Sequence, residues 1–166
     1  MVTEAVAELK GEPSSRAPET NIDLPIKAFI PSDYVETEEQ RLEAYRRLAS
    51  VSELVEVADI EAEWVDRYGQ VPESAKTLLH VALLRSECIR LAIDDINANS
   101  RKRVRISPLN LSQGEQVRFR RLSASGSFKS GTFKEESQEL TIQVDDITEE
   151  LPGQLFQFLR ELRPAE

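Results

Sequence analysis

The sequence is poor in the residues that build several common kinds of site. Of its 166 residues one is a cysteine, Cys88, and one is a histidine, His80. A single cysteine excludes an internal disulfide and a zinc site made of cysteines, and it fits the reducing cytoplasm that we expect for this protein. A single histidine without a neighbouring nucleophile or ligand set predicts an ordinary surface side chain.

Long apolar runs and an excess of basic residues are also lacking. No apolar run reaches the length of a membrane span, and 21 basic residues face 30 acidic ones, which gives a net charge of −9. This balance disfavours general binding to nucleic acid or to an anionic membrane. We therefore expect no membrane partner and no general binding of nucleic acid. We also expect the isolated domain to be a monomer whose partners are other proteins.

Catalytic and phosphate-binding motifs are missing as well. The sequence contains neither GxxxxGK[ST] nor GxGxxG, the loops that cradle phosphates. Paired acids occur at 94–95, 145–146 and 149–150, but each pair falls in a predicted loop or at a helix start, where carboxylates are favoured without a metal. We expect no catalytic residue, no metal and no cofactor.

The amino-terminal stretch has the composition of a linker. Residues 10–20, KGEPSSRAPET, combine prolines, serines and a glycine with alternating charges. We interpret residues 1–20 as a linker or tail of an upstream module, and residues 21–166 as a single domain. Residues 22–31 are apolar at alternate positions, which predicts a strand, and Pro25 places that strand at a sheet edge.

Three helices are predicted next. Residues 37–49 carry Leu42, Tyr45 and Leu48 on one face. Ser50 and Glu53 have the spacing of a capping box for the second helix. A third helix over roughly 72–93 is apolar around most of its circumference, so it should be the central helix.

The turn between the second and third helices contains two residues with specific backbone roles. Gly69 is predicted to end the second helix in the left-handed conformation, and Pro72 to start the third. The remaining polar stripe of the third helix is predicted to carry Lys76, His80 and Glu87 toward solvent.

The last third of the chain favours strands. Residues 101–107 alternate between basic and apolar positions, Ser112 and Glu115 form a second capping box, and residues 128–144 are typical of a hairpin. A final helix is predicted from about 151. The fold class is therefore α+β, with a helical amino-terminal half, a long central helix and a small mixed or antiparallel sheet in the carboxyl-terminal half.

One helix carries its acids in a row. Glu56, Asp59, Glu63 and Asp66 follow one another at spacings of three, four and three, which places them on one side of a helix; we call them the acidic row. Like charges at such spacings cost roughly 0.2–0.5 kcal/mol per pair. This cost is small for side chains in solvent, so a solvated acidic face explains the row as well as a binding surface does.

Two further charged features require an ion-pair partner or a functional explanation. Arg85 falls among apolar positions of the third helix, so we predict a buried ion pair with Glu61, or else a side chain that reaches out to water. Arg101, Arg103 and Arg105 line one face of a predicted strand. They offer a minor DNA contact, although no aromatic side chain is interleaved with them.

Two stretches resemble a known family. IDLPIKAFIPSDYVETEEQRLEAYRRLA resembles the start of the C-terminal (TRCF) domain of bacterial transcription-repair coupling factors, or Mfd. EWVDRYGQVPESAKTLLHVALLR resembles its diagnostic run, E-x-x-D-R-aromatic-G followed by a proline and an apolar helix. The likeness covers about residues 1–93, and beyond 100 it is limited to the order of elements.

The resemblance implies a role for the acidic row. In that family the parent protein is an ATP-driven, Mg-dependent DNA translocase that displaces stalled RNA polymerase and recruits the excision-repair protein UvrA. Its C-terminal domain is autoinhibitory: it docks on the UvrB-like N-terminal module of the same chain and competes with UvrA for that surface. The two acids of the motif, here Glu63 and Asp66, pair with arginines of that module, and Asp59 and Glu56 extend the same side.

Two other interpretations stay open. The acidic row could serve as a general adaptor for another basic protein. The strand from Arg101 to Arg105 could make a minor contact with DNA.

Overall fold

A computed structural model of the chain describes residues 19–99, 101–124 and 128–165. Within these ranges the chain forms five helices and a five-stranded mixed sheet, so the predicted α+β class is confirmed. The helices are α1 Glu38–Ala49, α2 Leu54–Tyr68, α3 Glu73–Leu91, α4 Gln113–Ala124 and α5 Leu151–Leu162. Of the predicted linker, residues 1–18 lie outside the described residues.

The sheet draws its first strand from the amino-terminal side and the others from the carboxyl-terminal half. Its strands are β1 Asn21–Asp23, β2 Asp95–Ala98, β3 Arg103–Ser107, β4 Phe128–Lys134 and β5 Glu139–Val144, in the spatial order β1-β2-β3-β5-β4. β1 pairs with β2 in parallel, and the other pairs are antiparallel. The predicted hairpin is β4–β5, and the alternating residues Leu140, Ile142 and Val144 of its second strand are buried.

Helix α3 joins two hydrophobic clusters. The first cluster includes α2 residues Val57, Ile60 and Trp64 together with Leu79 from the first half of α3. The second cluster gathers the inner faces of the sheet, α4 and α5 around the other half of α3, which contributes Leu84, Cys88 and Leu91. The prediction of a central helix is therefore confirmed. Because α2 contributes only one side to the first cluster, its other side faces solvent.

The predicted edge strand over 22–31 is shorter than expected. The apolar positions alternate inward through Ile30 as predicted, but the hydrogen-bonded ladder ends at Asp23. Pro25 has no N–H to donate, and the N–H of Ile26 binds the carbonyl of Leu24 at 2.8 Å in a tight turn. β1 does lie at one edge of the sheet.

Two predictions about the first helices are wrong. Leu42, expected on the buried face of α1, is 50% exposed, and Leu48 is the buried residue of that helix. Ser50 does not cap α2, because its N–H continues the hydrogen bonds of α1 to Arg46 and Arg47. The residue that caps α2 is Glu53, which stands three residues later.

The predictions for the helix ends are confirmed in part. Gly69 ends α2 with a positive φ of 91°, but its ψ of −162° lies outside the left-handed helical region. That conformation occurs instead at Ala92, which ends α3 with φ 60° and ψ 40°. The capping box of α4 is confirmed: the Ser112 N–H donates to the Glu115 carboxylate at 2.9 Å, and the Glu115 N–H donates to the Ser112 hydroxyl at 3.2 Å.

Candidate protein-docking surface

The acidic row lies on α2, and the packing of that helix fixes the direction in which the row points. Val57, Ile60 and Trp64 are each at most 3% exposed, and Tyr34 packs edge-on against Trp64. Because these residues repeat every three or four positions, they hold one side of α2 against the first cluster. The members of the row fall outside that buried side, on a helix whose orientation is set by its core contacts.

Glu56 is used within the helix itself. Its carboxylate accepts hydrogen bonds from the backbone N–H groups of Ser52 at 2.9 Å and Glu53 at 2.8 Å. These bonds lower the pKa of Glu56 below its ordinary value, and they satisfy N–H groups at the start of α2 that the helix leaves unpaired. Glu56 is therefore a structural cap and has little capacity left for a partner.

Glu63 is paired with two arginines of the same chain. Arg47 Nη1 on α1 lies 2.8 Å from one carboxylate oxygen, and Arg67 Nη1 lies 3.2 Å from the other. The hydrogen bond from Arg47 lowers the pKa of Glu63 below its ordinary value, and Arg67 lowers it further. The three side chains line a groove of about 260 Å³ between α1 and α2. Glu63 is thus half-exposed and electrically compensated.

Asp59 and Asp66 differ from Glu56 and Glu63 in their contacts. Both are exposed, and among the described residues neither side chain has an ion-pair or hydrogen-bond partner. The structure therefore divides the acidic row into one cap, one paired carboxylate and two uncompensated negative charges. Asp59 and Asp66 are the acids that remain available to another molecule.

The predicted pair of Arg85 and Glu61 is not formed. Glu61 is exposed on α2, and within the described ranges no ion pair joins it to Arg85. Arg85 lies beside Ala49, Val51 and Ile89 in a cleft that opens to solvent. Partial burial lowers the pKa of its guanidinium.

A buried carboxylate exists elsewhere, where the sequence predicted a surface acid. Glu87 is 2% exposed, and its oxygens bind Arg90 at 2.7 Å and Arg160 on α5 at 3.1 Å. The spacing of Glu87 and Arg90 is the one signal in the sequence, and it is also the spacing of an ordinary surface pair. The partner that buries Glu87 comes from a helix 73 positions further along the chain.

The basic strand is partly engaged within the sheet. The predicted alternation is confirmed on β3, where Val104 and Ile106 are buried and Arg103 and Arg105 are exposed. Arg105 lies 3.6 Å from the Glu139 carboxylate, and Arg103 donates to the Gln143 side chain at 3.3 Å. Both contacts are with β5, so the positive charge of this strand is partly balanced by its neighbour.

Features of metal sites and membrane spans are lacking in the described part of the chain. Among the described residues no group of three or more His, Cys, Asp or Glu side chains is arranged to hold a metal, and no helix there is long and apolar enough to cross a membrane. Cys88 is buried, and burial raises the pKa of its thiol to about 12, so it is unreactive at neutral pH. His80 packs beside Gly153 of α5 at the edge of a separate cleft.

Comparison with known proteins identifies the family. Residues 24–122 match the family described as the TRCF domain, and this stretch is more than half of the 166-residue chain. The chain belongs to the TRCF domain family. The match confirms the resemblance carried by the two quoted stretches, and it extends past residue 93 into α4.

Relatives of this TRCF domain are named transcription-repair-coupling factor. The protein of Mycobacterium bovis is 43% identical over 114 residues, which are 69% of this chain and 9% of that protein. The protein of Myxococcus xanthus is 42% identical over 85 residues, which are 51% of this chain and 7% of that protein. The protein of Staphylococcus aureus (strain USA300) is 30% identical over 95 residues, which are 56% of this chain and 8% of that protein. The matched part of this chain therefore spans less than a tenth of the curated relatives.

A solved structure shares the fold of the TRCF domain described above. The crystal structure of the C-terminal domain of a transcription-repair coupling factor superimposes with a TM-score of 0.70 at 19% sequence identity. The superposition covers 90% of this chain and 95% of that one. The agreement confirms the arrangement of helices and sheet that carries the acidic row.

Proposed function

We propose that this TRCF domain is an autoinhibitory docking module of its parent transcription-repair coupling factor. It docks on the UvrB-like N-terminal module of the same parent chain and masks the surface to which UvrA binds. The observation that carries the proposal is the pair of uncompensated carboxylates, Asp59 and Asp66, on the exposed side of α2.

The presentation of these two acids suits a docking surface. Aspartate has a short side chain, and α2 is anchored by Val57, Ile60 and Trp64, so little conformational freedom is lost when a partner binds. Close charge pairs across an interface couple by about 1.5 kcal/mol or more, and they also steer the approach of the partner. A surface that presents arginines is the complement of this one.

Glu63 takes a secondary part in the proposed contact. Its carboxylate is 38% exposed and already holds Arg47 and Arg67. A partner arginine reaches it only by sharing the carboxylate or by displacing one of these two side chains. Asp66, three residues further along the same side of α2, has no such competitor among the described residues.

The enzymatic work of the parent is assigned to segments outside these 166 residues. There an ATP-driven, Mg-dependent DNA translocase displaces stalled RNA polymerase, and recruitment of UvrA starts nucleotide excision repair. The TRCF domain itself acts as a monomer in the cytoplasm, without a cofactor and without catalysis, and it regulates access to the UvrA-binding surface.

The test is UvrA binding by the full-length parent protein. Reversal of both free acids, Asp59→Arg with Asp66→Arg, is expected to unmask the surface and to increase UvrA affinity at least about tenfold, since loss of one close pair alone is worth about 1.5 kcal/mol. The matched control reverses two exposed acids of the β4–β5 turn, Glu135→Arg with Glu136→Arg. It makes the same change in net charge and should leave UvrA binding unchanged.

The outcomes separate the alternatives. Equal unmasking by both double variants would show that net charge matters and the position on α2 does not. If neither variant alters UvrA binding, autoinhibition through α2 is wrong, and the acidic row is left as an adaptor for another basic partner or as a solvated face.

A further inference from the structure

The outer side of α2 also carries apolar side chains. Val55, Ala58, Ala62 and Val65 follow one another at spacings of three, four and three, so they form one continuous strip on the helix; we call it the apolar strip. All four are exposed, Val55 at 61% and Val65 at 50%. These residues point away from the first hydrophobic cluster, which is filled by the opposite side of α2.

The apolar strip runs beside the two free acids. Asp59 is four residues after Val55, and Asp66 is four residues after Ala62, so each acid is a direct neighbour of the strip on the helix surface. An apolar centre with charged residues at its edge is the usual composition of a protein–protein contact. Single exposed valines are common on protein surfaces, whereas four aligned apolar residues next to two unpartnered carboxylates form a surface with both components.

We infer that the apolar strip is the centre of the docking face and that its occupant is a protein surface with apolar side chains ringed by arginines or lysines. Charge complementarity selects this occupant, because the strip is bordered by Asp59 and Asp66. In the parent protein the occupant is the UvrB-like N-terminal module, and in this respect the inference rests on the proposed function.

The two components of the face respond differently to salt. Attraction between the acids and a basic rim is screened as the ionic strength rises, because the Debye length falls from about 10 Å at 0.1 M to about 3 Å at 1 M salt. Contact of apolar side chains is not screened in this way. Docking through acids alone would therefore disappear at high salt, and docking through the strip as well leaves a residual affinity there.

The experiment is a titration of the 166-residue chain with the UvrB-like N-terminal module of the same parent protein. Val55→Ser with Val65→Ser is expected to lower the affinity at least about tenfold at both about 0.05 M and about 0.5 M salt. Asp59→Arg with Asp66→Arg is expected to lower it strongly at the lower concentration and weakly at the higher one. Val117→Ser is the matched control, since Val117 is 52% exposed on α4, and it should bind like the unmodified chain.

Each outcome has a distinct meaning. Thermal melting of every variant checks that the fold is kept, which is expected because the changed side chains are exposed. If the Val55→Ser, Val65→Ser chain binds normally while the Asp59→Arg, Asp66→Arg chain loses binding, the inference about the apolar strip is overturned and the proposed function stands. If neither pair affects binding, both are overturned. A loss with Val117→Ser equal to that of the valine pair also overturns the inference, because the effect would not be specific to α2.

Discussion

Arg47 Nη1 donates a hydrogen bond to Glu63 Oε1 over 2.8 Å, and this contact joins α1 to α2 beside the candidate docking face. Together with Arg67, it compensates the one acid of the row that lies between the two free aspartates. The contact therefore limits the negative charge of the candidate docking face.

Replacing Arg47 should strengthen docking. Arg47→Gln removes one positive charge next to the face and frees one oxygen of Glu63. The affinity of the chain for its proposed partner, the N-terminal module, is therefore expected to rise by about two- to tenfold at low salt. Isothermal titration calorimetry measures the change. Arg46→Gln is the control, because Arg46 is a strongly exposed arginine of the same helix that lies near Glu43 and does not contact Glu63. An equal gain with Arg46→Gln would attribute the effect to net charge.

The stability of the domain should fall in acid through Glu115. The hydrogen bonds from Arg163 at 2.7 and 2.9 Å lower the pKa of Glu115 from 4.5 to about 2. Because the folded state favours the carboxylate, this stabilisation is fully present above about pH 4.5 and is lost as the pH falls toward 2. Urea unfolding of Glu115→Gln should show a loss of about 1–3 kcal/mol at neutral pH.

The same pair predicts how that loss depends on pH. The difference between the unmodified chain and Glu115→Gln should shrink as the pH falls from about 4.5 toward 2, because in this range the unfolded state takes up a proton at Glu115 and the folded state does not. Glu149→Gln, a change at an exposed acid, should show no such convergence. A constant difference across this range would mean that Arg163 does not hold Glu115 in its ionised form.

The buried acid Glu87 should be more important for stability than either of its partners. Glu87→Gln leaves Arg90 and Arg160 without their shared carboxylate, and the free energy of unfolding is expected to fall on the order of 2–3 kcal/mol. Arg160→Met should cost less than about 1 kcal/mol, because Arg90 remains paired and both arginines are partly open to water. Equal losses in chemical denaturation would contradict this asymmetry.

Gly131 should not accept a side chain. A Cβ at this position of β4 would lie 2.3 Å from Cζ of Phe119, whose ring is buried and packs edge-on against Phe158. Gly131→Ala is therefore expected to lower the free energy of unfolding by about 1–3 kcal/mol. Gly114→Ala, where no atom lies within 4 Å, should be neutral or slightly stabilising in the same thermal melts. A neutral Gly131→Ala would mean that Phe119 can move away from β4 at little cost.

Local patterns predicted the elements well. The capping box of Ser112 and Glu115 needs only two residues three positions apart, and it starts α4 as expected. The spacing of Val57, Ile60 and Trp64 at three and four residues likewise indicates which side of α2 is buried. Such signals are carried by neighbouring residues, so they survive without knowledge of the fold.

Contacts between distant segments were not predictable in the same way. Glu63 reads as a member of the acidic row, but its partner Arg47 lies on another helix whose register the sequence does not specify. The sequence pattern predicts that Glu87 faces solvent, because the pattern does not show that Arg160 of α5 contacts it. The helical wheel surrounds Arg85 with apolar residues and therefore predicts a partner, whereas the cleft beside α3 opens to solvent.

The most direct test of autoinhibition adds the 166-residue chain in trans to a parent protein that lacks its own TRCF domain, and measures UvrA binding. If the domain is autoinhibitory, the added chain competes with UvrA, so the apparent Kd for UvrA rises with the concentration of added chain, and the Asp59→Arg, Asp66→Arg chain does not compete. An apparent Kd for UvrA that is unchanged by the unmodified chain, or raised equally by the variant, would contradict it.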